Sequence, residues 1–301
     1  IPLYVGSGSP LSNVGTLTNQ GIELEVGYKL SVDKVNLSFL ANASYVKNEI
    51  KNLGNQTGYI DKESLPTLGT VSRNQNGYPI GYFFGYKAIG VFQTQEEIDN
   101  YISPATGKPI QPNAVPGDTK FEDLNGDGVI SDDNEDRTMI GKPNPDWIVG
   151  LTVAADWNGF DLSAFFQGSF GADVFDALRR YELAAVNYTS DALERWTGPG
   201  TSNSMPRIVL GDTPKNFRPS TLLVHDASFL RLRNLQVGYT LPAQLTRKAY
   251  IQRLRFYASF DNLLTITGYK GMDPEIGSTM GIDKGVYPQA RVYTFGLNLT
   301  F

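Results

Sequence analysis

The clearest pattern along the chain is strict alternation of apolar and polar positions in well-separated segments. This is the period of a strand with two unlike faces. Tyr293, Phe295, Leu297, Leu299 and Phe301 share one face, against Val292, Thr294, Gly296, Asn298 and Thr300 on the other. Ile22, Leu24, Val26, Tyr28 and Leu30 oppose Glu23, Glu25, Gly27 and Lys29, and Val35, Leu37, Phe39, Ala41, Ala43 and Tyr45 oppose Asn36, Ser38, Asn42 and Ser44. Leu235, Val237, Tyr239 and Leu241 repeat the pattern, as do Leu254, Phe256, Ala258, Phe260 and Leu264. The plainest hairpin runs Trp147, Val149, Leu151, Val153, Ala155, Trp157, then Asn158-Gly159, then Phe160, Leu162, Ala164, Phe166. Asn-Gly supplies the two positive φ values that a tight hairpin needs. At roughly 3.4 Å per residue and a tilt of roughly 45°, the steps between the two Trp cover about 24 Å of membrane normal. That is the height of an apolar band with aromatic girdles at both edges. The pattern predicts an all-β fold, a transmembrane antiparallel β-barrel. A soluble β-sandwich, acting as a calcium-stabilised glycan-binding or adhesion module, is the alternative, because sandwiches alternate too.

Strands are predicted near 16–30, 35–46, 145–157, 160–170, 228–241, 252–266 and 289–301. Residues 31–34 and 158–159 form short turns and 242–251 a modest one. The alternate connections, about 47–144, 171–227 and 267–288, are long. Barrels of the outer-membrane type have short periplasmic turns and long extracellular loops. About seven strands cannot close such a barrel, so the remaining strands are expected outside this sequence, which begins Ile1-Pro2-Leu3 with no initiator Met or signal peptide. Within the loops, residues 95–101 predict a short polar helix. Val174, Leu178, Tyr181, Leu183, Ala184, Leu193 and Trp196 fall at mostly helical spacing and predict a helix within 173–197.

Composition narrows the chemistry. With 26 Lys+Arg against 31 Asp+Glu, the net charge of −5 argues against a nucleic-acid partner. The absence of Cys excludes disulfides, Cys-zinc sites and cysteine nucleophiles, and the single His, His225, excludes a multi-His metal centre within the chain. The most specific local motif is Asp123-Leu124-Asn125-Gly126-Asp127-Gly128-Val129-Ile130-Ser131, which fits the opening of a calcium-loop template. Asp123, Asn125 and Asp127 offer hard oxygens at alternate positions, Gly128 permits the turn, and Val129 lends its carbonyl. The twelfth position is Asn134, among Asp132, Asp133, Glu135 and Asp136. A structural calcium ion is expected, ordering a long external loop.

Several phrases resemble the carboxyl-terminal part of SusC/RagA-type TonB-dependent outer-membrane transporters. They are Asn13-Val14-Gly15 with Asn19-Gln20-Gly21-Ile22-Glu23-Leu24, Gly77-Tyr78-Pro79-Ile80-Gly81 with Phe84-Gly85-Tyr86, and Gly90-Val91-Phe92-Gln93. The acidic loop, Arg137-Thr138-Met139-Ile140-Gly141 and Asp226 through Asn234 continue the series. Gly238 through Pro242, Asp273-Pro274-Glu275 and Tyr287-Pro288-Gln289-Ala290-Arg291 complete it. The resemblance implies a barrel of about 22 strands, with an amino-terminal plug absent from this sequence. It implies a SusD-like surface lipoprotein as external lid, a TonB complex acting through the plug, and a glycan or oligopeptide as cargo. A dimer of transporter–lid pairs is also implied. In the acidic loop it makes Asp136 the better last calcium ligand than Asn134, because Asn134-Glu135 looks inserted before Asp136-Arg137.

Further residues take roles from this frame. Glu23, Glu25, Lys29, Asn36, Ser38, Asn42, Thr152, Asp161, Ser163 and Gln167 make a wet lumen wall. Tyr82, Phe83, Tyr86, Tyr181, Tyr188 and Trp196 are expected chiefly to pack the loops; substrate-binding residues are not assigned. Arg231 and Arg233 fall on the alternation of Leu235 and Val237. An arginine facing lipid at mid-depth costs about 2–4 kcal/mol, so both are expected outside the hydrocarbon, at the lipid headgroups or paired under a loop. No enzyme is predicted. Nothing fixes two carboxylates at catalytic separation, and His225-Asp226 has no Ser in a nucleophile elbow.

Overall fold

The computed structural model describes residues 15–301 except 67, 134, 180, 182, 184, 185 and 277–279. Asn13, Val14, Asn134 and Ala184 therefore lie outside the described residues. One antiparallel sheet of seven strands dominates. In chain order its strands are β1 (Thr16–Val32), β2 (Val35–Asn52), β3 (Trp147–Trp157), β4 (Phe160–Phe170), β5 (Phe229–Thr240), β6 (Arg253–Thr267) and β7 (Val292–Thr300). Each pairs with the next, β1 through β7, as an up-and-down wall. The expected strands are all present. β2 runs on to Asn52, so the first long connection starts later than 47. At the β3–β4 turn Asn158 and Gly159 have φ of 49° and 92°, the geometry that Asn-Gly favours.

Register joins the alternating positions into rows. Val26, Ala41, Leu151, Phe166, Leu232 and Leu264 form an unbroken outward row. Ile22, Tyr45, Trp147 and Phe170 make an aromatic-rich row near the loops, with Tyr45 and Trp147 ring centroids 5.0 Å apart. Trp157, Phe160, Tyr239 and Phe256 make another beside the short turns. The outward face stays bare: Ile22 is 74% exposed and Phe295 77%. No second sheet covers it among the described residues, which removes the sandwich alternative, whose defining feature is apolar faces packed on each other. The opposite face carries the polar set, including the row Glu25, Asn42, Gly150, Gln167, Arg231 and Thr265.

Arg231 departs from the alternation read in the sequence. Between β4 and β5, Phe165 pairs with Asn234 but Phe166 pairs with Leu232, leaving Arg233 as an extra residue. A bulge of this kind switches the face of everything beyond it. Leu230 and Leu232 thus join Leu235 and Val237 on the outward side, while Arg231 turns inward. The expected burial under a loop holds, but on the opposite face from the one inferred.

The packed core lies in the loops. Val71, Phe83, Phe175, Leu223 and Ile282 form one buried cluster drawn from all three long connections. A four-stranded sheet joins Tyr59–Asp61, Ser72–Gln75, Tyr82–Gly85 and Thr138–Gly141, and a three-stranded one joins Asp173–Asp176, Val224–Asp226 and Ile282–Asp283. The short helix is Gln95–Asp99, capped by Thr94 Oγ1, which accepts from Glu97 N. Among the described residues of 173–197 the expected helix is not formed. Asp173–Asp176 is a strand, and Ser190–Glu194 is a 3₁₀ turn.

Candidate functional site: the loop cap and the inner wall

The acidic loop is closed by its own backbone amides. Asp123 accepts from Gly126 N and Gly128 N, both at 2.8 Å. Asp127 N donates to Asn125 Oδ1 at 3.0 Å and Val129 N to Asp127 Oδ1 at 2.8 Å. Asp136 is fully buried and accepts from Leu124 N at 3.1 Å and Ser131 N at 3.0 Å, so it braces the loop from within. Asn125 Nδ2 stands between Asp127 Oδ2, 3.0 Å away, and Glu135 Oε2, 2.9 Å away. Among the described residues no three His, Cys, Asp or Glu side chains gather as a metal site. Val129 is 57% exposed, with its side chain outside the packing.

This loop is fastened to its neighbours by charge and by rings. Tyr86 Oη donates to Ser131 O at 2.7 Å, and Lys215 pairs with Asp132, holding that carboxyl below its usual range. Guanidinium groups and rings then alternate through the loops. Arg73 sits over Tyr59 and Phe84 at 4.1 and 3.6 Å, Arg137 over Phe84 at 4.3 Å, and Arg218 over Tyr86 and Phe121 at 4.8 and 4.9 Å. Desolvated contacts of this type are worth on the order of 1–2 kcal/mol each. Tyr82, Phe83, Tyr86 and Tyr181 are all buried, which fits the packing role expected of them. Tyr188 is 44% exposed, and its hydroxyl is held by the Tyr181 and Leu183 carbonyls. Trp196 Nε1 donates to Gln93 Oε1 at 3.2 Å.

Arg231 is the anchor of the inner wall. It is only 2% exposed, with Nε on Thr265 Oγ1 at 2.9 Å, Nη2 on Asp273 at 2.5 Å and Nη1 on Glu275 at 3.0 Å. Arg233 adds Gln167 at 2.7 Å and Glu275 at 2.6 Å. Burial opposes ionisation of Asp273. The N–H groups of Gln289 and Glu275 and the Arg231 guanidinium outweigh it and hold the carboxyl below its ordinary range. The network ties the third long loop to β5. Sequence reasoning gave Asp273 and Glu275 no role, yet a signal existed: two carboxylates two residues apart match two guanidiniums two residues apart. The guanidinium–ring stack left no comparable signal, because its members come from distant segments.

Lower on the same face, Arg255 of β6 pairs with Asp161 of β4, spanning β5. A Cβ at Gly238 would meet Asp161 Oδ1 at 2.6 Å, so glycine there makes room for the ion pair. His225 stands beside Asp176, Nε2 to Oδ2 3.8 Å, and Asp176 is already bound by Arg179 at 2.7 Å. Burial, assisted by the Arg179 charge, pushes the imidazole below its usual range.

No protein-family model matches the chain. Over its whole length it is 32% identical to TonB-dependent receptor P3 of Formosa agariphila, of which it covers 30%. Over 96% of its length it is 30% identical to TonB-dependent receptor SusC of Bacteroides thetaiotaomicron, covering 27% of that protein. Among solved structures, that of the RagAB peptide transporter matches the whole chain with a TM-score of 0.76 and 26% identity, over 31% of the matched chain. The chain thus spans about three-tenths of the length of the relatives it matches. These relatives are named as receptors and transporters rather than enzymes. A bare outward apolar wall, a polar inner wall and relatives of this kind agree, and the chain belongs to the SusC/RagA family of TonB-dependent transporters.

Proposed function

We propose that this chain is part of an outer-membrane importer that takes up a large nutrient, a glycan or an oligopeptide, driven by the TonB complex and covered outside by a SusD-like lipoprotein. The observation that carries the reading is the two-faced wall: aliphatic and aromatic rows outward, and carboxylates, amides and guanidiniums inward. Such a wall satisfies its backbone in the ladder and presents a wet passage inside. The long connections, roughly 53–146, 171–228 and 268–291, lie on the extracellular side in this reading and frame the mouth. The test is uptake by cells carrying the complete transporter. Labelled oligosaccharides or oligopeptides should accumulate, and accumulation should fall to background when an uncoupler collapses the inner-membrane gradient. Accumulation that survives the uncoupler would overturn TonB-driven import.

The acidic loop takes calcium within this reading. Asp123, Asn125, Asp127 and the Val129 carbonyl follow the template. Glu135 already converges with Asp127 on the Asn125 amide at the exposed side of the loop, and we take it as the last ligand in place of Asp136, which is fully buried on the other side. The chelator EGTA should expose residues 123–136 of the complete transporter to limited proteolysis, and Glu135→Gln should raise the calcium needed for protection by about tenfold. Equal cleavage with and without calcium would count against the ion.

A further inference from the structure

The outward face of β1 and β2 changes character at the row Ile22, Tyr45 and Trp147. On the short-turn side of that row the outward side chains are aliphatic or aromatic. On the loop side β1 and β2 run on without β3, whose pairing with β2 stops at Trp147 and Tyr45. The same alternation then sets Gln20 beside Lys47 and Thr18 beside Glu49 on the outward side, and packs Ile50 inward at 3% exposure. Lys51 is the extra residue where the register shifts at Thr16 and Leu17. Its Nζ reaches back to Glu49 Oε1 at 2.6 Å, which groups its ammonium with the outward set. Lys47 Nζ stands 3.9 Å from Glu49 Oε2. One carboxylate thus lies between two ammonium groups on side chains 66% and 48% exposed. Among the described residues neither lysine has a second carboxylate in ion-pair reach, so the patch keeps an excess positive charge. A cleft of about 700 Å³ lies beside it, with Tyr45, Lys47, Glu49 and Lys142 in its lining.

We infer that this flank binds lipopolysaccharide, the phosphorylated glycolipid of the outer leaflet, through its phosphates and sugar hydroxyls. This rests on the outer-membrane placement proposed above, with the long loops outside, and adds a lipid partner rather than a cargo. An aromatic row marks the edge of the hydrocarbon, and a lysine facing outward beneath that edge is strongly disfavoured. The edge therefore falls between Tyr45 and Lys47. At roughly 3.4 Å per residue and a tilt of roughly 45°, the backbone of Lys47 stands about 5 Å above the row and that of Lys51 about 14 Å. A phospholipid headgroup ends near the first of these levels, whereas a glycolipid carries phosphate and sugar through both. The patch faces away from the lumen, so what meets it at this height is the surrounding leaflet. Its excess positive charge selects an anionic headgroup. Ammonium groups hold phosphate as point charges, and the exposed Gln20 amide offers a donor and an acceptor to sugar hydroxyls.

The test uses the complete transporter purified in detergent and stripped of bound lipid by detergent exchange. It is incubated in parallel with lipopolysaccharide of truncated core, with the same material after chemical removal of its phosphates, and with phosphatidylglycerol. Retained lipid is identified by native mass spectrometry. Phosphorylated lipopolysaccharide should be retained well above the other two. Lys47→Gln together with Lys51→Gln should lower its retention by roughly fivefold for each lysine, the worth of one charge at an anionic surface. Lys34→Gln, in the β1–β2 turn at the opposite end of the wall, should retain it normally. Unchanged heat-modifiable migration certifies the fold of each variant, and Lys47→Gln by itself serves if the double variant loses that migration. Equal retention by wild type and the lysine variant overturns the site. Equal retention of the dephosphorylated form overturns phosphate recognition, and equal retention of phosphatidylglycerol overturns the glycolipid as occupant. A changed oligomeric state with lipid retention unchanged assigns the patch to a second copy and also overturns it. None of these outcomes touches import, which the uptake assay decides by itself, and recovery of the transporter outside the outer membrane would instead sink the placement.

Discussion

Arg231 shows how a full charge survives inside this wall. It is 2% exposed, yet each of its three nitrogens has an acceptor on Thr265, Asp273 or Glu275. Removing one member of a buried ion pair costs about 3–5 kcal/mol, because the partner stays desolvated and uncompensated. Asp273→Asn should therefore lower the midpoint of heat-induced unfolding, read as the shift from compact to extended migration on a gel. Arg231→Met combined with Asp273→Leu should recover part of the loss. A midpoint unmoved by Asp273→Asn would remove the network's anchoring role. In the sequence, the matched spacing of Asp273/Glu275 and Arg231/Arg233 was visible, but their meeting was not. It depends on the bulge at Arg233, which no alternation count reveals.

At the scale of elements, the seven wall strands were legible because each one's pattern is local. A strand with one face in hydrocarbon and one in water must alternate, whatever its neighbours are. Leu151 lies in the outward row midway between Trp147 and Trp157. Leu151→Arg should cost about 2–4 kcal/mol at that depth and reduce the folded barrel recovered from outer membranes. Wild-type recovery of the arginine variant would mean that the strand does not face lipid there. Segment 173–197 was misread for the opposite reason. Its apolar residues serve separate non-local contacts: Phe175 joins the cluster with Phe83 and Ile282, Val174 packs with Tyr269, and Tyr181 packs with Phe217. Spacing imposed by three different partners imitated a helical period.

For the molecule as a whole, burial is inverted. The tightest packing holds the loops together, and the wall leaves its largest side chains bare. Outward residues such as Ile22, Leu24, Phe295 and Leu297 are 59–77% exposed and exceed what a soluble surface carries in one contiguous patch. The complete transporter should partition with outer membranes and stay monodisperse only in detergent. Release into buffer by carbonate washing would contradict that. The wall's upper edge is also uneven. β1 and β2 run 17 and 18 residues, β3 and β4 only 11 each, and β7 only 9. Turns at Val32/Val35 and Trp157/Phe160 share one level, so the surplus of β1 and β2 rises wholly at the loop end. At roughly 3.4 Å per residue and roughly 45°, six or seven extra residues raise that flank by about 15 Å. The rim of this seven-strand wall therefore stands tall at β1 and β2 and low at β7, so the loops rise from a stepped base rather than from a level one.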